Sequence, residues 1–441
     1  MPFLNTRIRR LLGRLLILAI FGILTDTSWV IYRANNTISA AGQSNSGIEL
    51  VGGEGEGTQK GGKQRIFISS THWNNEAILR SHWNTALVQL VKSLGPENVF
   101  VSIIESGSWD GTKNALHDLD DALGQMGVKR SISMSETTHS DEIAKVPKDK
   151  GKRDGEGEED EEEEEEEDGW IYTSRGRKEL RRIPFLSKQR NDSLKPLVAL
   201  ESKFGMRFDK ILFLNDVVFT NDDFYTLLNT NHGSYAAACA LDFSKPPYFY
   251  DTFALRDVEG HEVMMQTWPY FRASQSRQAL EHGEATPVRS CWNSMVIMDS
   301  APFYDTAHPL RFRGIPDSLA KYHLEGSECC IIHADNPLSA EKGVWLNPNV
   351  RVGYDGKAYE YVHAPGWPSS SSSTSSKWRI WRWTWESRLR RWFTTDRFKR
   401  KAVSRRVKEW QTTTMEGREE KGSFCLVNEM HVLAENGWAH I

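Results

Sequence analysis

The chain of 441 residues is 39% hydrophobic and 11% aromatic, with 16 Trp, enough for a substantial core in one large or two smaller domains and too much for a wholly disordered protein. Its net charge of −4 conceals an asymmetry: residues 154–168 hold 13 acidic groups and no base, so the remainder is moderately basic. That run repels itself and reads as a solvated insertion at about 145–169, and no nucleic-acid partner is expected.

Arg7, Arg9, Arg10 and Arg14 precede the apolar run Leu15–Leu24, and apolar character resumes at Trp29–Tyr32. Residues 15–32 reach the low end of a spanning length, with Asp26 as an interruption. The pattern predicts a signal anchor with residues 1–14 in the cytosol and the bulk of the chain in a lumen; a cleaved signal peptide is the alternative. The sequons at Asn35 and Asn191 are compatible with that compartment. Residues 33–64, rich in Gly, Ser, Asn and Gln, read as a stem.

The folded part opens with RIFISS (65–70) as a buried strand. Ile78, Leu79, Trp83, Leu87, Leu90, Val91 and Leu94 follow at helical period, closing at Gly95. NVFVSIIE (98–105) predicts a second strand, and NALHDLDDALGQMG a second helix. After the acidic run, NDSLKPLVALESKFG predicts a helix leading into the strand KILFLND, and HGSYAAACALDF adds another strand. This order predicts an α/β fold with a mostly parallel sheet flanked by helices. Further apolar runs occur in PVRSCWNSMVIMD and GSECCIIHADNP. The serine tract 369–376 predicts a linker to a basic, Trp-rich segment reaching residue 441, whose roles range from membrane-surface binding to acceptor contact to simple helix packing. Five Cys show no metal-type spacing; one disulfide is possible, with no pairing readable.

Ligands of open α/β sheets bind beyond the carboxyl ends of the strands, and three strands here end in acid: Glu105, Asp216 and Asp242. Singly, each is an ordinary strand stop. IESGSWDGT resembles the nucleotide-binding turn of glycosyltransferases with the GT-A fold, which implies nucleoside contact for Glu105, with Ser106 and Asp110 beside it and Asp110 also able to cap the next helix. FLND resembles their metal motif and puts Asp216 in the ligand position, next to Asn215. A second carboxylate at the usual spacing is missing, since Val217 follows. A leaving nucleoside diphosphate carries concentrated negative charge that Mn²⁺ or Mg²⁺ would neutralise, and such ions take carboxylate, water and phosphate ligands. His333 and His363 are the candidates for a further ligand.

Together, STHWNNEAILRSHW, IESGSWDGT, KILFLNDVVF, RSCWNSMVIMD, GSECCIIHADNP and NPNVRVGY resemble the fungal capsule-associated, cryptococcal-type α-1,3-mannosyltransferase family over about residues 65–365. The resemblance implies a type II Golgi membrane protein with a GT-A-like domain over 65–368. It also implies metal-dependent transfer of mannose from GDP-mannose to a mannosyl glycan acceptor, with retention at the anomeric carbon. On that reading Glu328 and Asp242 are the catalytic candidates, Arg289 pairs with pyrophosphate, Trp292 stacks on sugar, and Ser69 and Asn215 line the donor site. The missing carboxylate keeps open an inactive family member serving as scaffold or carbohydrate-binding subunit, and a transferase using UDP-xylose or UDP-galactose is a further alternative.

Overall fold

The computed structural model describes residues 64–147, 169–365, 367–368, 374–413 and 419–441, with part of 11–32. The acidic run and nearly all of the stem, including Asn35, lie outside the described residues. The expected anchor, 15–32, lies partly outside them. Among those described, no helix is long and apolar enough to cross a membrane.

Nine strands form the central sheet: β1 (Ile66–His72), β2 (Val99–Glu105), β3 (Lys129–Met134), β4 (Lys210–Leu214), β5 (Ala237–Phe243), β6 (Arg256–Asp257), β7 (Thr286–Ser290), β8 (Met295–Asp299) and β9 (Val344–Gly353). Their order is β3-β2-β1-β4-β8-β5-β9-β7-β6. Only β8 and β7 run against the rest, so the expected mostly parallel sheet is what forms. Strands β1, β4 and β5 are apolar almost without interruption because both faces are covered. The two-residue period sorts them into two cores. Phe67, Ile211, Phe213 and Cys239 point to one face, and Ile66, Ile68, Leu212 and Leu214 to the other.

The helix Arg182–Phe204 packs on β1 and β2, and it starts nine residues before the sequence pattern places it. Two sheet hydroxyls dock on its Ser193: Ser69 Oγ lies 2.7 Å from Ser193 Oγ, and Ser102 Oγ donates to the Ser193 carbonyl at 2.6 Å. Asn191, read as a sequon, is unsuited to carry a glycan. Its amide donates to the Phe312 carbonyl (2.8 Å) and accepts from the Phe312 N–H (3.0 Å).

The segment beyond the serine tract is part of the folded body. The helix Thr374–Phe393 packs Ile380 and Trp383 against Met265, while Trp378 and Trp392 stay exposed. Leu426 pairs with Gly326, Cys425 is bridged to Cys330, and the hairpin His431–Ala434/Gly437–His440 meets Arg181 through Val432. A second disulfide joins Cys239 to Cys291, so two bridges form where the sequence suggested that one is possible.

Candidate active site

The parallel strands β1, β2, β4 and β5 deliver their carboxyl ends to one edge, and β8 begins there, opposite Leu214. Asp216 emerges from β4 half-buried. Its neighbour Asn215 is clamped by backbone, its N–H donating to Ser294 O (2.8 Å) and its carbonyl accepting from Trp83 Nε1 (2.9 Å). The Asn75 amide donates to Asp216 Oδ2 at 2.9 Å. Asn75 is itself oriented by His72, whose Nδ1 faces Asn75 Oδ1 at 3.2 Å. Burial lowers His72 to a pKa of about 4, so at neutral pH the ring is uncharged. Among the described residues no Lys or Arg pairs with Asp216. Burial, opposed only by its own N–H and the Asn75 amide, raises its pKa to about 6.

Asp242, at the end of β5, is fully buried and accepts from Ser294 Oγ (2.9 Å), Tyr354 Oη (3.1 Å) and the Asp251 N–H (3.1 Å). Burial, then the charge of Asp251, raises it to about 7. Asp251 caps its own loop, accepting from the N–H groups of Phe253 and Ala254 and, at 3.4 Å, Asn293. Asn293 and Ser294 adopt φ of 57° and 68°, and this strained pair aims the Ser294 hydroxyl at Asp242. Burial and the negative charges of Asp242, Asp216 and Asp251 hold the Tyr354 hydroxyl well above its ordinary pKa.

Glu328 opens the helix Glu328–Asp335. Its Oε1 accepts from Arg190 Nε at 3.0 Å and from the Cys329 thiol at 3.3 Å. The guanidinium of Arg190 lies 4.4 Å from the Trp292 ring centre. Arg182, at the start of the same long helix as Arg190, sits 4.5 Å over Trp438 of the C-terminal hairpin. No carboxylate lies within ion-pair distance of Arg182 among the described residues, though Glu328 and Asp251 act on it electrostatically.

Several residues singled out in the sequence lie elsewhere. Ser69 faces Ser193 between sheet and helix. Arg289 is on the outward side of β7 over Phe424, beside the helix Arg397–Thr413. Trp292 is 2% exposed and covered by Arg190, leaving no face for a sugar. His333 is buried, donating from Nε2 to the Cys291 carbonyl at 2.7 Å. Its sulfur neighbours are the Cys239–Cys291 disulfide, so no thiolate is there to complete a metal site. His363 donates from Nδ1 to Tyr359 O (2.9 Å) and faces Asp223 at 3.6 Å, not Asp216.

The loop after β2 is a self-contained brace. Glu105 accepts from the Ser108 N–H and, at 3.1 Å, from the Ser135 N–H, so both oxygens are engaged inside the protein. Asp110 accepts from the N–H groups of Thr112 (3.0 Å) and Glu76 (3.1 Å). Ser106 is buried against Gln189 and His139. Next to this brace Trp73 stacks on His139 (4.4 Å) and meets Trp109 edge-on (5.1 Å), and Trp109 is 55% exposed.

The family described as Cryptococcal mannosyltransferase 1 matches residues 65–335, more than half of the sequence and all of the acidic edge except Tyr354. The chain belongs to this family. It is similar to the α-1,3-mannosyltransferase CMT1 of Cryptococcus neoformans, 26% identical over 296 residues. The match takes in 64% of this chain and 55% of that protein, so the chain spans about half the length of the curated relative. Solved structures with related arrangements include the mannosyltransferase PcManGT of Pyrobaculum calidifontis in complex with GDP-Man and Mn²⁺. That likeness has 9% identity and a TM-score of 0.36, covering 91% of this chain and 89% of that one. S. aureus TarS 1-349 shows 11% identity and a TM-score of 0.33, covering 74% and 72%.

Proposed function

We propose that this chain is a retaining α-1,3-mannosyltransferase with a GT-A-like fold that moves mannose from GDP-mannose to a mannosyl glycan acceptor. Membership of the family supports the activity. The observation that carries the site is Asp216, a half-buried carboxylate at the sheet edge, held by the Asn75 amide and without a cationic partner among the described residues. A buried negative charge of this kind is costly until a cation completes it.

Asp216 would supply one carboxylate oxygen to a hard divalent ion; among the described residues it belongs to no cluster of three close His, Cys, Asp or Glu donors, so the diphosphate and water would complete the set. When bound, Mn²⁺ or Mg²⁺ would neutralise the leaving diphosphate. Arg182, rather than Arg289, meets the phosphates, and its Trp438 platform limits its rotamers. Trp109, exposed beside the loop after β2, offers a face for the guanine. Glu328, fixed by Arg190 and Cys329, and Asp242, hydrogen-bonded to Ser294 and Tyr354, orient sugar hydroxyls. Front-face transfer requires little beyond such positioning, because a phosphate oxygen of the donor can take the acceptor proton.

Arg182→Met is expected to raise KM for GDP-mannose about 10- to 100-fold, the worth of one charge-assisted contact, with a smaller effect on kcat. Steady-state kinetics of donor hydrolysis check this. Protons compete with the metal at Asp216, whose raised pKa of about 6 sets the window. Apparent Mn²⁺ affinity should rise roughly tenfold between pH 5 and 7 and level off above that, measured by calorimetric titration. The deciding experiment is metal-dependent release of GDP from GDP-mannose. Release from a UDP-sugar alone would replace the donor, and no turnover across a donor panel would leave a scaffold.

The same reading places the protein in the Golgi membrane with its catalytic domain lumenal. Two disulfides fit an oxidising compartment, and protease protection in intact vesicles tests the topology.

A further inference from the structure

The C-terminal hairpin carries a group of side chains that the transferase reading does not use. His431 opens its first strand and His440 closes its second, and the two are directly paired across the ladder. Opposite residues of an antiparallel pair share one face, so both imidazoles project the same way. Glu429, just before the first strand, lies against both. Its Oε2 is 3.2 Å from His431 Nε2 and 3.1 Å from His440 Nδ1. All three donor atoms fall within 4.8 Å of one another. Ligand atoms about 2.1 Å from a tetrahedral ion stand roughly 3.4 Å apart, close to the two spacings here.

We propose that Glu429, His431 and His440 form a Zn²⁺ site, distinct from the divalent-metal edge at Asp216. Two imidazoles and one carboxylate suit Zn²⁺ better than Mg²⁺, which takes oxygen ligands almost exclusively, and the set leaves one position for water. The site is built rather than accidental. His431 is 2% exposed and packed between Phe253 (4.8 Å) and Trp438 (5.2 Å), so one ligand is fixed in the body of the protein. His440 is 55% exposed in its side chain and free to adjust to the ion. Trp438, on the same face, is 4.5 Å from His440 and carries Arg182 on its ring. The ion would therefore fasten the two ends of the hairpin and hold the platform under Arg182.

The test uses the full chain stripped by chelation, titrated with Zn²⁺, with Co²⁺ as a spectroscopic probe. The expected result is one Zn²⁺ per chain, a tetrahedral Co²⁺ spectrum, and a rise in Tm on adding Zn²⁺. All three should persist in Asp216→Asn, which separates this site from the proposed catalytic metal. His440→Ala and Glu429→Gln alter exposed side chains and should keep the metal-free Tm of the wild type. Each should weaken Zn²⁺ at least about 100-fold, the upper end of what even outer-shell partners cost. Wild-type Zn²⁺ affinity in His440→Ala, or no Zn²⁺ binding by the wild type, would overturn the proposal.

Discussion

Asp216→Asn is expected to lower GDP-mannose turnover by about 10³-fold or more while leaving the protein as stable as before, or more so. The activity loss follows from removing the only charge on the proposed metal ligand that no neighbour can replace; even one uncharged transition-state contact is worth roughly 10²- to 10³-fold. The stability effect has the opposite sign for a stated reason. The folded state raises the Asp216 pKa from the ordinary carboxylate value of 3.8 to about 6, so it favours the protonated form. Stability from that preference is present at low pH and lost as pH rises through the window between the two values. Above pH 6 the metal-free protein carries a buried, unpaired charge, at a cost on the order of 1–3 kcal/mol. Asn has the same shape and no charge. Thermal melts without metal should show the variant equal to wild type below about pH 3.8, partly ahead at pH 5 and furthest ahead at pH 7.5. If turnover survives in the variant, Asp216 is not the metal ligand.

That prediction starts from a residue legible in the sequence, and the contrast with its partners is instructive. Apolar runs such as KILFL and AACAL announce buried strands, and the acid after each is visible because it interrupts them. Asp251 follows PPYFY in an irregular loop with no period to mark it, so only the folded loop shows it beside Asp242. Arg182 and Arg190 were hidden by a boundary error. The first two turns of their helix, Arg182–Arg190, mix Pro, Phe and basic residues without a clean stripe, and the helical pattern becomes plain only from Asn191. Arg289 could have been placed from sequence, because alternation puts Val288 and Ser290 inward and leaves it outward. His333 and His363 could not. Each is taken by a backbone carbonyl, and for His333 that carbonyl lies 42 residues away.

The largest effect on folding is expected from Arg181, next to Arg182 on Trp438. Its guanidinium is wholly buried, donating to Glu325 Oε1 and Oε2 (2.7 and 3.2 Å), to Asp317 Oδ1 (2.6 Å) and to the Ile315 carbonyl (2.9 Å). Glu325 is equally buried, and burial raises its pKa even with Arg181 present. Arg181→Met strands two carboxylates in the interior and should cost about 3–5 kcal/mol near neutral pH, because a buried charge without its partner is far more expensive than no pair at all. For a body of this size that corresponds to a fall in Tm of about 5 °C. The deficit should depend on pH in one direction only. With the guanidinium gone, the folded-state pKa of Glu325 climbs further above its unfolded value, so the variant is least impaired near pH 5 and loses stability as pH rises toward 8. A Glu325→Gln change added to Arg181→Met should therefore recover part of the loss at pH 8 and little at pH 5. The same arginine joins three parts of the fold: the start of the helix that carries Arg182, the strand Glu325–Gly326 paired with Leu426–Val427, and the hairpin at Val432. Loss of this anchor loosens the Trp438 platform, so the double variant, even where its stability is restored, should keep a raised KM for the donor.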